Sequence, residues 1–179
     1  GTPLPNPLRC RRCGICFGAC PERIITFKNY NILMGSKMIQ SISMPEEFDE
    51  KPRILVLVCE NDAMPAVDMV GEMRMKYSPF VRFLPVRCIG SANVIWLNDA
   101  FSGGFDGIML LGCKKGDDYQ CHFVRGSLLA SIRMDNVKDK LKQLALESER
   151  VEIHEVQISH YNKIPQLIDD FVEEIETMG

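Results

Sequence analysis

Ile54-Leu55-Val56-Leu57-Val58-Cys59 is an unbroken aliphatic run, closed on one side by Pro52-Arg53 and on the other by Glu60-Asn61-Asp62. Six residues are too few for a buried helix. Their β-branched, non-alternating character fits a strand covered on both faces. Such strands belong to parallel sheets, because only crossover helices cover both faces of a sheet.

Downstream of this run, apolar strand patterns alternate with helical ones. Ala63–Tyr77 has helical spacing through Met64, Val67, Met69, Val70 and Met73. Val81–Val86 predicts a second strand; Pro85 lacks an N–H, which places that strand at an edge. Ser91 is the expected N-cap of a helix over Asn93–Phe101, stopped by Gly103-Gly104. Gly107–Leu111 predicts a third strand. Val124–Glu149 predicts a long helix with Val137, Leu141, Leu144 and Ala145 on one face. Val151–Ile158 is a fourth strand and Ile164–Met178 a last helix. The expected fold class is α/β: a doubly wound, flavodoxin-like parallel sheet of about four strands over residues 53–179.

Upstream lies Cys10-Arg-Arg-Cys13-Gly-Ile-Cys16-Phe-Gly-Ala-Cys20-Pro21. This is the C-x2-C-x2-C-x3-C-P spacing by which bacterial ferredoxins hold a [4Fe–4S] cluster. A cubane needs thiolates converging on one small volume, and two-residue gaps on a tight loop, eased by Gly14, supply three of them. A zinc site is the rival, although zinc sites usually split into two separated cysteine pairs. In two-cluster ferredoxins the cysteine before the proline ligates the other cluster, and here the motif occurs once. With no initiating Met, the expectation is a C-terminal piece of a longer polypeptide. Alternatively, Cys10, Cys13 and Cys16 share one cluster with a remote ligand or with a rearranged Cys20. Residues 1–27 form the expected small ferredoxin-like [4Fe–4S] segment, with Glu22–Phe27 as a strand-like tail. Residues 28–52 are the expected linker, with a helical turn around Met34–Ile39. Met34, Met38 and Met44 are expected to fill apolar gaps.

The chain has 179 residues, 46% hydrophobic and 25% charged, with a formal net charge of −3. These values suit a globular protein and exclude a basic nucleic-acid surface. No apolar run approaches the roughly 18 residues that span a bilayer. Arg9, Arg11 and Arg12 make a local basic patch, either plain surface or a dock for an acidic partner. Cysteine clusters of this kind survive in a reducing compartment, so a cytoplasmic setting is expected.

The other cysteines are Cys59, Cys88, Cys113 and Cys121. The first three each fall just beyond a predicted strand, at the carboxyl edge where open parallel sheets bind ligands. They are either a redox or metal site or small buried apolar residues. Lys114 and Lys115 stand where they would favour thiolates, and His122 beside Cys121 is a possible ligand. Asp117 and Asp118 are read as charge balance for the lysines. No phosphate-cradling glycine motif is present.

Arg74-Met75-Lys76-Tyr77-Ser78-Pro79-Phe80-Val81-Arg82, Arg87-Cys88-Ile89-Gly90, Ala100-Phe101 and Gly107–Cys113 resemble the delta subunit of methyl-viologen-reducing hydrogenase. Together with the ferredoxin motif, the chain is similar to the C-terminal part of the B component of quinone-modifying oxidoreductase, of the heterodisulfide-reductase-like flavoproteins. That resemblance implies an iron–sulfur electron-transfer module of a membrane-associated complex. It would relay electrons between a quinone and flavin branch and adenylylsulfate reductase in sulfate respiration. It also implies FAD in an upstream part or partner flavoprotein, and a membrane quinone-reactive subunit, with no direct insertion of this chain. In the delta-subunit family the domain carries a [2Fe–2S] cluster, which carries over to Cys59, Cys88 and Cys113. Two ligand positions differ: Asp62 and Asp118 stand where the family has cysteines, so Cys121 would have to substitute. The competing readings are a non-redox docking adaptor, a hydrogenase- or heterodisulfide-reductase-linked electron-transfer subunit, and a thiol–disulfide enzyme using Cys113 and Cys121. No catalytic residue is assigned.

Overall fold

The computed structural model describes residues 4–44, 52–116, 121–123, 125–143 and 147–179. Its centre is a four-stranded, all-parallel sheet of order β2-β1-β3-β4. The strands are β1 (Ile54–Cys59), β2 (Val81–Val86), β3 (Gly107–Cys113) and β4 (Val151–Val156). Every residue of β1 and β3 is buried, as expected of central strands, whereas β2 and β4 are only partly covered. Pro85 does lie on an edge strand, opposite Val58. The expected fourth strand ends at Val156, and Ile158 opens a 3-10 segment instead.

The helices are α1 (Ile15–Ala19), α2 (Ile32–Gln40), α3 (Ala63–Glu72), α4 (Val94–Ser102), α5 (Gly126–Gln143) and α6 (Ile164–Met178). Two glycines of β3 show that both sheet faces are covered. A Cβ on Gly107 would strike Ile175 of α6, and one on Gly112 would strike Ile89 and Ser127 of the α5 side. Residues five apart in a strand face opposite ways, so α6 and α5 cover different faces. Each buried Val, Leu or Ile contributes about 1.5–3 kcal/mol relative to exposure.

Four local expectations change. Ser91 is not the N-cap of α4; it ends a 3-10 turn (Ile89–Ser91) with its hydroxyl bonded to Cys88 O. Asn93 caps α4, its Oδ1 accepting from Ile95 N at 3.1 Å and Trp96 N at 3.3 Å. α3 stops at Glu72 rather than Tyr77, and Arg74 follows in a left-handed conformation. The turn expected around Met34–Ile39 is a nine-residue helix. A Cβ on its Gly35 would lie 2.2 Å from the Trp96 ring, and Trp96 Nε1 donates to Ile32 O at 2.7 Å. α2 therefore packs directly on α4. Met34 and Met38 do not fill gaps; they lie on the exposed side of α2, while Met44 packs against the core.

Among the described N-terminal residues there is one short helix, α1, and a single bridge between Phe27 and Tyr30. The expected strand-like tail Glu22–Phe27 is reduced to that bridge. Phe17 is fully buried and meets Phe27, Tyr30 and Trp96 edge-on. Those aromatic contacts fix α1 against α4. Leu144, Ala145 and Asp117–Gln120 lie outside the described residues.

A candidate thiol centre at the carboxyl edge of the sheet

Cys59 ends β1 and Cys113 ends β3, and these strands are hydrogen-bonded neighbours. Their sulfurs are 3.5 Å apart, with Cys113 Sγ donating to Cys59 Sγ. Cys113 also hydrogen-bonds Cys121. Cys88 sits two residues past β2, at the start of the 3-10 turn, where its sulfur accepts from Gly90 N at 3.3 Å. The first residue of α5 completes the ring. A Cβ on Gly126 would lie 2.4 Å from Cys88 Sγ and 3.2 Å from Cys121 Sγ. All four cysteines are buried and none is in a disulfide. The edge expected from strand order thus gathers Cys59, Cys88, Cys113 and Cys121 into one cluster of sulfur.

The thiols are electrostatically unequal. The hydrogen bond from Cys113 brings Cys59 down to about 6, helped by Asn61, whose Nδ2 donates to the sulfur at 3.5 Å. The bond from Cys113 likewise brings Cys121 down to about 5, with support from the N–H groups of Phe123, Gly126 and Ser127. Cys113 itself is raised by holding the proton between them. Burial pushes Cys88 up to about 12. Cys59, through Cys113 and Asn61, and Cys121, through Cys113 and the N–H groups of Phe123, Gly126 and Ser127, are the sulfurs whose surroundings favour the thiolate form.

Lys115 plays a different part from the one expected. Lys115 Nζ pairs with Glu155 at 2.9 Å and bonds Ser131 Oγ at 2.9 Å. Neither lysine is among the causes of the lowered thiol pKa values. His122 is exposed and packs edge-on to Phe123. Asp62 turns towards Ile158 N, 3.2 Å away, and its other oxygen is buried without a partner among the described residues. Asp118 lies outside the described residues.

At the N-terminal motif, Gly14 adopts φ 85°, and a Cβ there would strike the rings of Phe17 and Tyr30. Cys13 is raised by burial and feels Cys16 and Cys10, so these three are neighbours. Cys20 stands apart: desolvation opposes ionisation, but the N–H groups of Ile24, Ile25, Glu22 and Arg23 outweigh it and lower the pKa. It lines a groove of about 610 Å³ with Val94, Leu129 and Ile132. Among the described residues, no three His, Cys, Asp or Glu side chains already stand in metal-holding geometry. Sequence reasoning did not single out Gly126, Ser127, Asn61 or Arg133. The one available signal was a glycine five residues after Cys121 at the head of a long helical pattern.

The two cysteine groups adjoin each other. A Cβ on Gly90 would come within 2.8 Å of Ile15 Cγ1, and one on Gly126 within 3.9 Å of Ile15 Cδ1. Cys13 is close enough to Cys88 to raise its pKa. Tyr30 Oη and Ser91 Oγ lie 2.9 Å apart.

Residues 54–179 match the family described as methyl-viologen-reducing hydrogenase, delta subunit. The chain belongs to this family. Its relatives include the D-type iron-sulfur subunit of the F420-non-reducing hydrogenase of Archaeoglobus profundus, 30% identical over 76% of this chain and 96% of that protein. The corresponding vhc iron-sulfur subunit of Methanococcus voltae is 30% identical over 72% of this chain and 88% of the relative. The A-type subunit of the Ferredoxin/F(420)H(2)-dependent CoB-CoM heterodisulfide reductase of Methanosarcina acetivorans is 27% identical over 72% of this chain. The match spans only 16% of that longer relative. Among the described residues, no helix of this delta-subunit relative is long and apolar enough to cross a membrane.

Proposed function

We propose that this chain is an iron–sulfur electron-transfer unit of a hydrogenase- or heterodisulfide-reductase-linked complex. Cys59, Cys88, Cys113 and Cys121 would hold a [2Fe–2S] centre, and Cys10, Cys13 and Cys16 would anchor one of the [4Fe–4S] type. The observation that carries this reading is the seam where Ile15, inside the N-terminal cysteine motif, covers Gly90 and Gly126 of the buried thiol cluster. Two redox groups placed edge to edge make a wire, whereas two unrelated structural cysteine sets have no reason to share a wall.

The residues at the buried site fit an iron–sulfur group. An all-thiol donor set is the soft set that such clusters take. Gly126 leaves space beside two of the sulfurs that any side chain would fill. Ser127, 1% exposed, carries a buried hydroxyl with no hydrogen-bond partner among the described residues. Such a group would supply one-electron redox chemistry. The chain's own part is to hold the thiolates, to donate amides to Cys59, Cys88 and Cys121, and to exclude water.

Cys20 faces its own groove, consistent with a sulfur offered to a neighbouring cluster segment rather than to the trio. FAD is assigned to a partner or upstream part. The narrower expectation of a quinone branch feeding adenylylsulfate reductase draws no support from these relatives, whose names point to hydrogenase and heterodisulfide reductase.

Anaerobic purification followed by iron and sulfide analysis and EPR tests the proposal. The native chain should show reducible signals, one of which disappears in Cys113→Ser. Colourless, sulfide-free protein rejects it. A non-redox adaptor has one observation on its side, the carboxylate of Asp62 at a family cysteine position; an unchanged spectrum in both Cys59→Ser and Cys113→Ser would select it.

A further inference from the structure

Arg133, on α5, reaches across to the turn that carries Cys88. Its Nη1 donates to Gly90 O at 2.7 Å and to Ala92 O at 2.5 Å. Gly90 is the middle residue of the 3-10 turn and Ala92 follows it directly, and the Gly90 N–H donates to Cys88 Sγ. The guanidinium also lies against α1, where a Cβ on Gly18 would come within 2.9 Å of Nη1. The cation therefore sits where the N-terminal motif, the Cys88 turn and α5 meet.

Its partners are neutral. Arg133 takes no part in the ion pairs Lys115–Glu155, Arg150–Glu147 and His154–Glu152. The guanidinium is half-buried. A cation drawn from water and given only carbonyls is poorly compensated unless negative charge stands nearby. The Cys88 sulfur, which accepts from the N–H of the Gly90 whose carbonyl Arg133 holds, is the acidic group that bears on the guanidinium electrostatically.

We propose that Arg133 is the counter-charge of the buried thiolate centre, a positioning residue that clamps the Cys88 turn and raises the reduction potential. The inference rests on the electron-transfer reading above. A thiolate-ligated iron–sulfur centre gains one negative charge when it takes up one electron. A fixed cation beside it stabilises the reduced form more than the oxidised form. Arginine suits the place because one guanidinium nitrogen supplies N–H donors to both carbonyls while the group keeps its charge at any working pH.

The test uses the full chain, loaded anaerobically, with Arg133→Met and Arg133→Lys. The signal to follow is the one that Cys113→Ser abolishes, titrated by EPR against redox mediators. Arg133→Met should lower its reduced-to-oxidised ratio at fixed potential about tenfold, the effect of one partly screened charge at short range. For one electron that is a negative shift of about 59 mV. Arg133→Lys should stay near the native potential. Loaded Arg133→Met titrating at the native potential overturns the proposal, as does Arg133→Lys shifting as far as Met. Should Met fail to load iron while Lys loads, the need for charge is upheld; failure of both assigns Arg133 to packing and overturns it. A native chain without iron refutes the electron-transfer reading itself, a separate result from an unshifted variant.

Discussion

Gly126→Ala is the sharpest perturbation of the thiol site, because one methyl group lands among the sulfurs. The new Cβ would lie 2.4 Å from Cys88 Sγ and 3.2 Å from Cys121 Sγ. Favourable non-bonded contact needs about 3.5–4 Å, so the helix start or the Cys88 turn must move by about 1 Å. Moving the turn is resisted by Ile15, packed on Gly90, and by the two Arg133 hydrogen bonds. Over-packing of this kind costs about 1–3 kcal/mol. The gain in helix propensity returns at most about 1 kcal/mol. The net expectation is about 0–2 kcal/mol lost by the metal-free chain in anaerobic urea unfolding. In the loaded chain the signal assigned to the buried cysteines should weaken or vanish. Gly71→Ala is the control: it lies in α3, with nothing within 4 Å of its would-be Cβ. There the same change should stabilise by about 0.5–1 kcal/mol. Gly126→Ala as stable as native protein, with a full iron signal, would refute the packing argument.

Gly35→Ala drives a methyl into the indole of Trp96, the single tryptophan of the chain. It should cost about 1–3 kcal/mol and red-shift tryptophan fluorescence as α2 lifts; an unshifted spectrum argues against the α2–α4 contact. Asn93→Ala removes the acceptor for Ile95 N and Trp96 N, with an expected loss of about 1 kcal/mol in urea unfolding. The hydrogen bond from His154, at 2.6 Å, holds the Glu152 carboxyl below the usual carboxylate range. A depressed acid stabilises the fold above its unfolded pKa, and this is lost as pH falls through the folded value. His154→Gln should therefore be less stable than native protein at about pH 5, with the gap closing towards about pH 3. A gap that widens on acidification contradicts the sign.

The sheet was legible because burial on both faces erases alternation: β1 and β3 read as unbroken aliphatic runs, and Pro85 marked β2 as an edge. α6 was legible to its ends, since Leu167, Ile168, Phe171, Val172 and Ile175 follow a clear helical period. Boundaries set by side-chain hydrogen bonds were less visible. Ser91 and Asn93 are both good capping residues, and only the 3-10 turn after Cys88 decides that Asn93 caps α4. Strand-end positions announced Cys59, Cys88 and Cys113 together. Gly126 and Arg133 were hidden, because a glycine next to two sulfurs and an arginine on two carbonyls acquire meaning only through tertiary contact. Lys115 misled for the same reason: Glu155, forty residues away, claims it.

The two cysteine groups differ in how much chain must be in place before their sulfurs can meet. Cys10, Cys13 and Cys16 are separated by two-residue gaps and need little chain between them to meet. Cys59 and Cys113 come together only when β1 and β3 pair, closing a loop of more than fifty residues that already contains β2. Closing such a loop costs entropy that only the finished core repays. The inner sulfurs therefore meet only in a chain whose centre has already folded, whereas the amino-terminal ones are neighbours by sequence alone.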